Sequence, residues 1–101
     1  MKTVKSLQAL IAARQDLPKV GWIFVDKKFD KTSVDMLIGA TFHIQEDDED
    51  EFYGEENFDT WLEAPTFLDV LELREKHLNN PTAEDYALAC THYLEMDDFL
   101  E

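Results

Sequence analysis

The sequence predicts an α+β domain: an N-terminal helix, a two- or three-stranded antiparallel sheet and a C-terminal helical hairpin. Three observations point there. Apolar residues alternate from Val34 to Ile44, a branched and aromatic run lies one loop upstream, and two helical periodicities meet at a proline near residue 81. The 101 residues suit one domain spanning 1–101.

The elements follow in order. Val4, Leu7, Leu10 and Ile11 share a face at a 3.6-residue period, predicting a helix over 4–15 with Thr3 as N-cap and Pro18 as its stop. Val20 to Val25 reads as a buried strand, and 26–33 as a polar loop. Val34, Met36, Ile38, Ala40, Phe42 and Ile44 then predict one long strand with a single core face. An eight-residue loop is too short for a crossover helix, so this strand pairs antiparallel with 20–25. Phe58 to Leu62 offers a third strand. A helix from Thr66 to about Leu78 places Phe67, Leu71, Arg74 and Leu78 on one face, with Thr66 and Asp69 as its cap. Asn79-Asn80-Pro81 breaks it, and a last helix over 82–96 carries Tyr86, Cys90, Tyr93 and Leu94.

Charge narrows the function. Nine bases against 23 acids give a net charge of −14. A protein that binds nucleic acid by neutralising phosphates needs clustered positive charge, and so does one that binds anionic lipid. No direct nucleic-acid or membrane partner is therefore expected. The N-terminus lacks the apolar run of a secretory signal, and the single Cys90 makes no internal disulfide, so a cytoplasmic location is expected.

The acid is concentrated. Glu46, Asp47, Asp48, Glu49, Asp50 and Glu51 are consecutive, and Glu55, Glu56, Asp59 and Glu63 extend the segment to ten acids with no base. Residues 1–31 hold seven bases and three acids, a net of +4; residues 32–101 hold two bases and twenty acids, a net of −18. Such a run is often only a solvated, self-repelling loop. Here Phe52, Tyr53, Phe58 and Trp61 are interleaved with it, and aromatics beside one-sign charge suit a protein interface. The candidate partner-binding residues are Glu46 through Glu51, Tyr53, Glu55, Glu56, Asp59 and Trp61, with Tyr53 or Trp61 as anchor. An EF-hand fails in both registers, because position 5 of the loop is Phe52 or Tyr53.

No catalytic, metal or cofactor-binding residue is predicted. Cys90 and His92 are two apart, which sends them to different helix faces, and Cys90 reads as core. His43 falls on the outward parity of the long strand, and His77 complements the C-terminal end of its helix. There is no CxxC, HExxH or GxSxG, and three glycines make no phosphate loop.

In character the chain resembles the immunity proteins of bacterial toxin systems, including the partners of contact-dependent growth inhibition toxins. The segment from Asn80-Pro81-Thr82 to Phe99 is similar to a group of small bacterial proteins of unassigned function. Tyr93, Asp97 and Phe99 match the helix ending of that group, while Met96 and Asp98 depart from it. The resemblance implies a non-enzymatic antitoxin that neutralises a cognate basic toxin domain, a nuclease, by covering it. A nucleic-acid mimic of the phage type that inhibits a host or defence nuclease is the alternative, and a small enzyme with an unrecognised site is a third. Oligomeric state is not readable from the residues.

Overall fold

The branched and aromatic runs pair into one sheet in the computed structural model of the chain, which describes residues 1–99. The elements are β1 (Lys2–Lys5), α1 (Leu7–Ala12), a 3-10 turn (Arg14–Asp16), β2 (Trp22–Asp26), α2 (Val34–Ile38), β3 (Thr41–Ile44), α3 (Asp48–Asn57), β4 (Phe58–Glu63), α4 (Ala64–His77) and α5 (Ala83–Met96). Strand order is β1-β3-β2-β4 and every neighbouring pair is antiparallel. The architecture is α+β, with two C-terminal helices. Among the described residues no helix is long and apolar enough to cross a membrane.

Two stretches depart from the sequence expectation. The chain opens with a strand rather than a helix: Lys2 to Lys5 pair with Thr41 to Ile44. Ser6, at φ 82, turns the chain, and its hydroxyl accepts from the Ala9 N–H to start α1. Only Leu7, Leu10 and Ile11 of the supposed longer helix are buried on it.

The expected strand over 34–44 is divided. Val34–Ile38 is helical, begun by the Ser33 hydroxyl accepting from the Met36 N–H and ended at Gly39. Its buried residue is Leu37, which the alternating pattern placed outside, while Met36 is 48% exposed. Val34, Leu37 and Ile38 also stand at i, i+3 and i+4, and the serine cap decides for the helical reading. Of the six residues expected on the core face, Ala40, Phe42 and Ile44 are buried in the core, and only Phe42 and Ile44 of these lie in β3.

The sheet has two covered faces. Ile23, Val25, Phe42 and Ile44 join Leu10, Phe67, Leu71, Ala87 and Cys90 in one core, beneath α1, α4 and α5. On the opposite face lies Phe24, fully buried, with Gly54 of α3 directly over its ring. A Cβ on Gly54 would overlap that ring, so glycine is what lets α3 settle on the sheet. The start of α4 also differs from expectation. Glu63, not Thr66, holds the N-cap position, and Pro65 lies in the first turn.

Candidate functional site

The acidic run begins a helix. The Asp47 carboxylate accepts from the Asp50 N–H, and the Asp50 carboxylate reaches back to the Glu46 N–H. Asp48, Glu49, Asp50 and Glu51 occupy the first turn, where negative charge complements the helix dipole. The α-ammonium of Met1 sits 2.9 Å from both Glu46 and Asp50. Hydrogen bonding to these carboxylates, Asp50 foremost, raises the ammonium from its usual 8.0 to about 10. The same ammonium, aided by the Glu46 N–H, holds the Asp50 carboxyl below its ordinary value. Part of the acid is thus structural.

The candidate residues divide accordingly. Glu46, Asp47 and Asp50 serve the cap and the ion pair. Asp59 is half-buried and accepts from the Lys28 N–H, fixing the turn after β2. Trp61, offered as an anchor, belongs to the core: it is 2% exposed and packs on Phe42 and Phe67 at centroid distances of 4.9 and 5.5 Å. Asp48, Glu49, Glu55 and Glu56 are exposed, Glu51 is half-buried, and Tyr53 is 56% exposed with its ring edge on Phe58.

Phe52 is an exposed ring that the sequence expectation did not single out. At 100° per residue it points almost opposite Gly54, away from the sheet. It is 70% exposed. The same rotation places Glu56 and Glu49 on one side of it and Asp48 and Glu55 on the other. One large apolar ring therefore stands among four carboxylates. The signal was present in the chain: Phe52 lies two residues before the only glycine of the acidic segment. Glu55 and Glu56 have no structural reason to be acidic. They lie toward the C-terminal end of α3, where the dipole opposes them, and Glu55 stands four residues after Glu51.

His43 is a second correction. It faces the covered side of the sheet, with Nε2 2.9 Å from Asp26 Oδ1, Nδ1 3.1 Å from Thr3 Oγ1, and its ring stacked on Phe58 at 3.8 Å. Thr3, His43 and Asp26 form a hydroxyl–imidazole–carboxylate chain, the order used in nucleophilic catalysis. Their evident effect is to tie β1, β3 and β2 together side chain to side chain. Cys90 is fully buried, and burial pushes its thiol up, away from the thiolate that a nucleophile or metal ligand needs.

No family model, curated protein or solved structure matches the chain. The function has to be argued from this geometry. Elsewhere, Arg14 donates to Glu75 at 2.7 Å and the Tyr86 hydroxyl donates to the same carboxylate at 2.9 Å, holding Glu75 below its ordinary range. That trio joins the turn after α1 to α4 and α5. Among the described residues no three His, Cys, Asp or Glu side chains converge as a metal-binding group.

Proposed function

We propose that this is a binding protein of the immunity type, which neutralises a basic partner, a toxin nuclease domain, by covering it with the outward face of α3. The observation that carries the reading is Phe52, 70% exposed amid Asp48, Glu49, Glu55 and Glu56. Exposing a phenylalanine costs solubility, and gathering carboxylates around it adds self-repulsion. A partner with an apolar pocket inside a basic rim relieves both.

The mechanism is steric and electrostatic, with no covalent step. A nuclease must attract phosphates, so its cleft is positive. The field of α3 steers encounter, raising association by ~10–10³-fold at low salt. Phe52 then fills a pocket and slows dissociation, with Tyr53 beside it. The carboxylates stand in for phosphates without offering a bond to cleave.

Retrieval from the native host tests this reading. Wild-type protein on a support is expected to retain a basic domain that is toxic when expressed alone and harmless when co-expressed with this chain. A variant carrying Asp48→Lys, Glu49→Lys and Glu56→Lys should lose both retention and protection while keeping its far-ultraviolet spectrum. A variant that protects as well as wild type sinks the proposal. If the retained protein is a defence nuclease, the surface is right and the immunity role is wrong.

A further inference from the structure

The hydroxyl–imidazole–carboxylate chain across the sheet has a fixed tautomer. An ionised Asp26 Oδ1 only accepts, so its 2.9 Å contact with His43 requires a hydrogen on Nε2. In the neutral ring Nδ1 then carries a lone pair, and the Thr3 hydroxyl, 3.1 Å away, donates to it. A base within ~2.6–3.2 Å of a hydroxyl, itself oriented by a third group, is the arrangement that activates a nucleophile. His43 is 8% exposed and stacked on Phe58, so its ring is held in place. Thr3 is exposed and open to a reactant.

Strand pairing supplies a second part. β1 is an end strand of the sheet, and Thr3 lies directly opposite His43. The Ser6 N–H donates to the Ala40 carbonyl at 2.8 Å, one step beyond the Lys5–Thr41 pair. Antiparallel hydrogen bonds alternate, so Val4 and Lys2 bond to β3 and Thr3 belongs to a non-bonded pair. Such a pair brings the Thr3 and His43 side chains close and turns the Thr3 N–H outward, to the free edge. A carbonyl oxygen laid on this edge beside the Thr3 hydroxyl meets that N–H, the kind of donor that developing oxyanion charge requires. Lys5, exposed and two residues on, falls on the same face and adds positive charge.

We propose that Thr3, His43 and Asp26 form an acyl-transfer site that hydrolyses small carboxylic esters. Thr3 Oγ1 attacks the ester carbonyl as its proton passes to His43 Nδ1. The tetrahedral intermediate collapses, the carbon–oxygen bond to the leaving alcohol breaks, and the alcohol departs with the proton from Nδ1. Water then attacks the acyl-Thr3 carbonyl while giving a proton to the same Nδ1. The Thr3 oxygen leaves, takes that proton back, and the carboxylic acid is released. Asp26 is a positioning residue: it fixes the ring and stabilises the imidazolium formed in each half. The site shares no side chain with the outward face of α3, and its failure leaves the reading of that helix untouched.

Hydrolysis of p-nitrophenyl acetate tests the site. The wild-type chain is expected to release p-nitrophenolate about 10²-fold faster than Thr3→Ala, the scale of general-base assistance, and Thr3→Ser should restore turnover. Mass spectrometry of the acid-quenched reaction should find an acetyl group on Thr3 that hydroxylamine removes, as it does an ester and not a lysine amide. Folded His43→Gln should lose turnover as far as Thr3→Ala does. Asp26→Asn should lower kcat with KM unchanged, which a merely structural carboxylate would not do. Thr3 and Asp26 are exposed, so their variants are expected to keep the wild-type far-ultraviolet spectrum. The inference is overturned if folded Thr3→Ala releases p-nitrophenolate as fast as wild type. It is overturned equally if Thr3→Ser fails to restore turnover, since the hydroxyl would then not be the nucleophile.

Discussion

Helices α5 and α3 carry opposite relations to the sheet. α5 buries a continuous stripe, Tyr86, Ala87, Ala89, Cys90 and Thr91, and starts with a reciprocal cap between Thr82 and Asp85. α3 buries only Gly54 and turns Asp48, Glu49, Glu55, Glu56 and Phe52 to solvent. Hydrophobic burial accounts for the composition of α5. It accounts for almost nothing in α3 beyond the glycine. A helix whose sequence the fold does not explain is where a partner has to be sought.

The comparison breaks first under a buried charge. Cys90→Asp places an unpaired carboxylate in the core and is expected to cost ~3–5 kcal/mol in urea unfolding. That is a large share of the ~5–15 kcal/mol available to a domain. Next comes the seat of α3. Gly54→Ala should cost ~1–3 kcal/mol through overlap with Phe24, and clearly less in a Phe24→Leu background. Equal losses in both backgrounds would show that α3 does not rest there. Asp47→Ala removes a cap from the N-terminus of α3 and should cost ~1 kcal/mol.

The Met1 clasp gives a pH signature. Met1 is raised from 8.0 to about 10 in the fold, so its contribution is complete below pH 8 and fades as pH rises through 10. Asp50 is lowered from its ordinary 3.8, so its contribution is complete above that value and fades as pH falls through the lowered one. Protection of the α3 amides, taken relative to the intrinsic exchange rate at each pH, should therefore be greatest between these limits and fall on both sides. An Asp50→Asn variant should lose the alkaline arm in large part. The smallest effects belong to the outward carboxylates: Glu49→Gln, Glu55→Gln or Glu56→Gln should each change stability by less than ~0.5 kcal/mol. For Glu55→Gln the sign should be a gain, since it relieves repulsion from Glu51.

Elements with one possible period were readable in the sequence. The strand read over 20–25 (found as Trp22–Asp26, with Val20 exposed), its antiparallel pairing with β3, the strand read over 58–62 and the two C-terminal helices all follow from local pattern. The 34–44 stretch supports two periods at once, and a single serine cap at its head chose between them. Residues 2–5 were hidden because Val4 fits a helical stripe, while the partner that makes them a strand lies some forty residues away. The acidic segment was visible as a feature but not as a helix, because α3 has no apolar stripe. The exposure of its aromatic residues was hidden for a related reason. Trp61 and Phe52 are both aromatic neighbours of acid; the glycine two residues after Phe52 hints at which one faces out, and the contact of Gly54 with Phe24 makes it plain.

The central claim is that charge on α3 steers and Phe52 holds. Binding kinetics with the partner retrieved from the native host test it most directly, using Phe52→Ala and Glu49→Lys/Glu56→Lys beside wild type. The account predicts that Phe52→Ala speeds dissociation with little change in association, while the charge-reversed protein associates more slowly and loses its salt dependence. Wild-type rate constants in both variants would contradict it and move the recognition surface off α3.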